Sequence, residues 1–197
     1  MPGSRDDILA ALRRNAPTEI PAPAVSDLGV RFADPIAQLA QSATAVGGAC
    51  VRVADIAAAN AAIAALPQVA GAKKIVSRVP GVGTSTVDLA SVEAPHALAD
   101  LDLAILPGEL AVAENAAVWV EGTNLVHRAV FVITDHLALV VRAADVVHHM
   151  HEAYERLDGR PRGYGVFISG PSKTADIEQV LVVGAQGART CTLIVVG

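Results

Sequence analysis

Apolar residues fall along this chain in two rhythms. Short unbroken runs at 50–53, 74–77, 101–106, 137–142, 165–168 and 192–196 are rich in Val, Ile and Leu. Their length and branching suit strands buried on both faces. The run 130–134 reads the same way, with Asp135-His136 as a tight connection to the strand at 137–142. Two briefer runs, 112–114 and 118–120, bracket a polar island at Glu114-Asn115. Between the strands apolar positions recur at helical spacing. The 4–15 segment places Ile8, Leu9 and Leu12 on one face, with Ser4 or Asp6 as cap. Asp34-Pro35 opens a helix to about Val46, ended by Gly47-Gly48. Asp55 caps an Ala-rich helix to about Leu66. Further helices are expected at 144–157, with Val147, Met150 and Tyr154 inward, and at 174–183, ended by Gly184. Helices alternating with apolar strands predict an α/β domain, its mixed, mostly parallel sheet covered by helices. The Pro-rich stretch 18–29 reads as a linker, which makes residues 1–28 a helical arm ahead of a domain at 29–197.

Composition narrows the function classes. Of 197 residues 52% are hydrophobic but only 3% aromatic, so the core must rest on aliphatic side chains and closely packed alanines. No apolar run reaches the roughly 18 residues of a membrane span. The first fifteen residues carry scattered charge and no apolar stretch of the secretory kind. Cys50 and Cys191 lie far apart without metal-ligand spacing, which points to reduced thiols in a cytoplasmic protein. A net charge of −5 without a basic cluster disfavours nucleic acid.

Candidate chemistry concentrates beyond strand ends, where open α/β sheets bind ligands. Three stretches qualify: the loop holding Gly81 and Gly83, the island at Glu114 and Asn115, and Ser169-Gly-Pro-Ser172-Lys173-Thr174-Ala-Asp176-Ile-Glu178. A helix starting after Pro171 would aim free amides at an anion, with Lys173 adding charge. The same residues also suit plain capping, Ser172 bonding amides and Asp176 and Glu178 offsetting the dipole. Glu114, set in an apolar run, is either a carboxylate retained for chemistry or a turn residue facing water.

The run from Ser169 to Gln179, with Gly184-Ala-Gln-Gly-Ala188, resembles the C-terminal signature of the lactate-utilisation protein C family, the LUD domain. Val112-Ala-Glu-Asn115 and Met150-His151-Glu-Ala-Tyr154 are also similar to that family, and the resemblance spans roughly 30–197. It implies a fold like that of sugar-phosphate isomerases and CoA transferases. It also implies a role beside iron–sulfur partner proteins in oxidising L-lactate to pyruvate. No cofactor is expected in this chain, since two separated cysteines cannot hold a cluster; the clusters would belong to the partners. Ala113-Glu114-Asn115-Ala116 shares its two central residues with the Ser-Glu-Asn-Gly motif of CoA transferases but has Ala in place of the terminal Gly. That substitution matters if the backbone there has positive φ.

Two function classes follow. One is a lactate-utilisation component that binds a small organic anion or a partner at the strand ends. The other is a stand-alone CoA-transferase-like or isomerase-like enzyme using Glu114. His151 is kept as a ligand-binding candidate by the family run. His148 and His151, three apart on the expected helix, could join His127 or His136 at a metal, but the structural reading, helix-end histidines near the surface and one packed near the site, is favoured. Trp119 reads as core, and Arg128 as either a carboxylate ligand or a solvated loop residue.

Overall fold

The computed structural model describes residues 4–16, 21, 28–123, 125–158, 163–176 and 179–197. The first helix, α1 (Ser4–Arg14), has no buried residue. Most of the Pro-rich linker and Glu178 lie outside the described residues.

The central sheet joins β1 (Ala49–Val53), β2 (Ile75–Ser77), β3 (Leu103–Pro107), β6 (His136–Arg142) and β11 (Thr190–Val196). Its order is β1-β11-β6-β3-β2, and every neighbouring pair is parallel. A second sheet holds β4 (Leu110–Val112), β5 (Ala117–Glu121), β7 (Val146–Val147) and β8 (Gly165–Ser169) in the order β7-β4-β5-β8. Among the described residues antiparallel pairing is confined to β4–β5 and β5–β8 of this sheet and to a small hairpin described below.

Alternation along the parallel strands builds two cores. Leu103, Ile105, Ala138, Val140 and Ile194 face α3 (Ile56–Ala64) through its Ala59 and Ile63. Ala104, Leu106, Leu137, Leu139, Leu193 and Val195 face the other way, onto α2 (Pro35–Ala45) and the second sheet. The outer side of the second sheet carries Leu110, Val112 and Val147 against Ala153 of α5 (Met150–Leu157). The layers are thus helix, parallel sheet, second sheet and helix. The expected α/β architecture with a mostly parallel central sheet is present.

Both Asp caps form as expected. Asp34 accepts from the amides of Ile36 and Ala37 at 3.0 and 2.9 Å, and Asp55 from Ala58 at 2.7 Å. Three expected elements differ. Residues 130–134 form not a strand but a one-turn helix, α4 (Val130–Ile133), whose adjacent Val130 and Phe131 are both buried, an arrangement period-two alternation cannot give. The expected helix 144–157 begins only at Met150. Val146 and Val147 are drawn into parallel pairing with Ala111 and Val112, and His149 has extended φ −145°. Tyr154 is exposed rather than inward. The expected helix 174–183 is absent from the described residues. In its place β9 (Lys173–Thr174) pairs antiparallel with β10 (Val182–Val183), and Gln179 at φ 57° is incompatible with a right-handed helix.

Candidate functional site

Two regions gather polar side chains, at opposite ends of the parallel strands. The first joins the Glu114 island to the Ser169–Asp176 stretch at the strands' amino ends. Ala117 pairs with Ser169, and the Ser169 hydroxyl donates to the Asn115 carbonyl at 2.6 Å. A Cβ at Gly48, just ahead of β1, would lie 2.9 Å from the Cys191 carbonyl and 3.7 Å from the Gly170 Cα. Helix α2 ends at this place. Its Ser42 hydroxyl donates to the carbonyl of Ala113 at 2.7 Å, and the Lys173 ammonium donates to the carbonyl of Val46.

Each group here has a structural task. Glu114 is exposed, and its carboxylate accepts from the amide of Met150 at 2.8 Å, at the positive end of α5. The Asn115 side chain accepts from the Ala117 amide at 3.0 Å. Between them Ala116 has φ 56°, so the left-handed backbone occurs here without glycine, at a cost of about 1–2 kcal/mol. The Ser172 amide donates to Ala188 and its carbonyl accepts from Gly184. Without a helix after Pro171, the anion site expected at a helix N-terminus loses its physical basis. Lys173 instead sets its charge on the carbonyl end of α2, where the dipole is negative. Thr174 and the exposed Asp176 form a local turn, with 3.4 Å from the Asp176 amide to the Thr174 hydroxyl. Cys191 is buried beside Gly170, and burial pushes its thiol up to about 12; burial raises Cys50 as well.

The histidines also serve the scaffold. His149 is the N-cap of α5, its Nδ1 accepting from the Glu152 amide at 3.3 Å, while the Glu152 carboxylate accepts from the His148 amide at 2.8 Å. His149 thus caps the helix as Ser or Thr does in a capping box, while the Glu152 carboxylate reaches the amide one residue ahead of the cap. Arg31 pairs with Glu152, and the Phe32 amide donates to His148 Nδ1 at 3.0 Å, so the segment ahead of α2 is clipped onto α5. Burial opposes ionisation of Glu152, but the His148 amide and the Arg31 charge outweigh it and hold the carboxyl below its usual range. His151 is exposed on the first turn of α5, its ring 5.8 Å from that of His149. His148 precedes α5, so it does not share a helix face with His151. His127 and His136 lie elsewhere, bonded to the Val92 carbonyl and the Thr190 hydroxyl. No group of three or more His, Cys, Asp or Glu is placed to hold a metal among the described residues. Trp119 packs at 4.9 Å against Phe167, and Arg128 lies 4.8 Å above the Tyr164 ring.

The second region lies at the carboxyl ends. Gly81 and Gly83 follow β2 with φ 78° and 67°, and the Gly83 amide donates to Asn60 at 2.7 Å. A cleft of about 470 Å³ runs from Ser77 and Arg78 to Ala90 and Val126. It adjoins one of about 180 Å³ between Arg78, Leu106, Glu109, Val120, Glu121 and Leu125. Glu109 continues into a third, of about 350 Å³, lined by Ile56, Val79, Val140 and Arg142. Arg142 is held by Asp145 at 2.6 Å, which Arg156 also approaches at 3.5 Å. Neither Arg78 nor Glu109 makes a side-chain hydrogen bond or ion pair with a described residue, although they line the same small cleft. Sequence reasoning passed over both. The signal was their position: Arg78 is the residue after β2, and Glu109 follows β3 by two, beyond Pro107-Gly108. Of the ligand-binding candidates named from sequence, Gly81 and Gly83 belong to this end.

The architecture accords with what the comparisons find. The sequence profile of the LUD domain matches residues 67–196. The chain belongs to the LUD-domain family, which is associated in general with lactate utilisation. The crystal structure of a DUF162 family protein from Deinococcus radiodurans shares the fold, with TM-score 0.57 over 85% of this chain and 99% of that one, at 19% identity. No curated protein matches. No helix among the described residues is long and apolar enough to cross a membrane.

Proposed function

We propose that this chain is a non-redox component of an L-lactate utilisation system. It acts beside iron–sulfur partner proteins that accept the electrons released as lactate is oxidised to pyruvate, and it binds a small organic anion at the carboxyl ends of its parallel strands. The observation that carries the anion site is the unpaired guanidinium of Arg78 at the junction of two clefts. Arginine's planar fork matches a carboxylate with two parallel hydrogen bonds. Strand carboxyl ends are where open α/β sheets receive ligands. Membership of the LUD-domain family supports the lactate context. In this reading Gly81 and Gly83 shape the loop beside the anion, while Ser172, Lys173, Thr174 and Asp176 hold the amino-end scaffold.

The test is affinity purification of the chain from its native cells, with lactate-dependent dye reduction and iron content measured on the eluate. Activity together with iron is the expected result, and Arg78→Ala should lower the activity while iron stays bound. An eluate with neither activity nor iron would refute the role in the complex.

One observation favours a second reading, a stand-alone enzyme using Glu114. This carboxylate is exposed beside a left-handed alanine, and backbone cost of that kind collects at functional sites. Incubating the isolated chain with acyl-CoA esters and searching for a covalent adduct lost in Glu114→Gln tests it; no adduct counts against the nucleophile.

A further inference from the structure

We infer that the outer face of the second sheet, beside α5, takes the amphipathic helix α1 of a second copy of this chain, so that two chains exchange their amino-terminal arms. The inference is independent of the proposed anion site.

The face gathers the few aromatics of the sequence. The chain has one Trp, two Tyr and three Phe, and half of these six meet here. Trp119 of β5 lies 4.9 Å from Phe167 of β8, and Phe167 lies 5.8 Å from Tyr154 of α5, ring centre to ring centre. Met150 and Leu157, four residues before Tyr154 and three after it, share its side of the helix and are half-buried. Helix α5 sits over β4 and β7, so β5 and β8 are only partly covered on this side. Tyr154 is exposed, and Trp119 and Phe167 are half-buried. Gly165 keeps the surface flat, since a Cβ there would meet the Trp119 ring at 2.0 Å. Large, stiff aromatic side chains in one contiguous shelf are the usual anchors of a protein interface.

The occupant is read from the other end of the chain. Helix α1 carries Ile8 and Leu12 four apart on one face, 57% and 62% exposed, and none of its residues is buried. A short helix with such a stripe is marginal until the stripe is laid on an apolar surface. Its tether leaves the domain beside the shelf. Gly29 packs on the His149 ring, Arg31 pairs with Glu152, and the Phe32 amide donates to His148, all at the amino end of α5. Fourteen residues separate Arg14 from Gly29, a chain that reaches at most about 50 Å. Charge matches as well. Arg13 and Arg14 follow Leu12, and Glu121, which strand alternation places on the Trp119 side, is exposed. A single chain leaves α1 off its own shelf, so the helix that fills it is the second copy's. Two-fold symmetry then makes the contact twice.

The experiment is sedimentation of the full chain over a wide range of concentration, with Trp fluorescence read on the same samples. Trp119 is the only Trp, so its emission reports on the shelf directly. The expected result is a dimer whose emission moves to shorter wavelength as concentration rises. Ile8→Glu with Leu12→Glu in one chain, and Tyr154→Lys in another, should each weaken the dimer at least about tenfold. All three side chains are exposed, so the fold should survive, which circular dichroism checks. A chain that is monomeric at every concentration overturns the inference, and so does a dimer that either variant leaves unchanged. Emission already at short wavelength in the monomer, and moved by the Ile8 and Leu12 changes, would mean that the chain's own helix covers the shelf, which also overturns the exchange.

Discussion

Removing the Glu152 carboxylate tests whether the histidine-capped start of α5 carries the weight assigned to it. In Glu152→Ala the half-buried amide of His148 loses its acceptor, at a cost of about 1–2 kcal/mol. The first turn of α5 loses an acid facing the dipole, worth about 0.3–1 kcal/mol. The ion pair with Arg31 adds little, under about 0.5 kcal/mol, because the Arg31 side chain is 65% exposed. The expected loss is about 2 kcal/mol. Urea unfolding followed by circular dichroism reads it as a midpoint lowered by about 1 M, for a slope near 2 kcal/mol per M. Glu152→Gln keeps an acceptor for His148 and should lose only about 0.5–1 kcal/mol. The pH dependence has a definite sign. The folded carboxyl sits below its usual range, so the charge contributes stability above the unfolded pKa of about 4.3, and that contribution fades as pH falls from there. The stability gap between wild type and Glu152→Gln should therefore shrink under acid. Equal losses below about 0.5 kcal/mol in both variants, with no pH dependence, would refute the reasoning.

Asp34→Ala should cost about 1 kcal/mol, read as a lower urea midpoint, since two amides at the start of α2 lose their acceptor. Gly83→Ala should cost more, about 2 kcal/mol or above by the same assay, because the backbone is left-handed and a Cβ would meet Ile105 Cδ1 at 2.3 Å. Iodoacetamide at pH 8 should leave Cys191 unmodified in the folded protein, whose thiol is pushed up to about 12, and modify it in urea; mass spectrometry decides, and rapid native labelling would contradict the burial.

Legibility in the sequence tracked locality. The Asp caps, the parallel strands and the turn at Glu114-Asn115 were readable because each is set by a few adjacent residues. The failures share a cause. Val146 and Val147 read as helical until Ala111 and Val112 are brought alongside, a pairing no local pattern announces. Residues 174–183 carry helical spacing, but Gln179 turns left-handed and the valines beyond it fold back on Lys173 and Thr174. The candidate site divided in the same way. Asn115 and Ser169 do meet, yet at the amino ends, because the strands that carry them belong to the second sheet. Arg78 and Glu109 were overlooked because neither sits in a motif, and only the direction of β2 and β3 marks them.

The place of β11 in the central sheet has a consequence for how the protein comes to be made. It is the last strand along the chain, yet it lies between β1 and β6, pairing with both over its length. Until it arrives, residues 49–53 have no partner and β6 presents a bare apolar edge, Leu137 to Val141. Nascent chains in that state are templates for stray pairing, so aggregation during synthesis should be governed by how promptly this strand docks. The sheet lacking β11 is a lock with a single slot. A separate peptide carrying Thr-Cys-Thr-Leu-Ile-Val-Val is the key, and its insertion would complete the domain in trans.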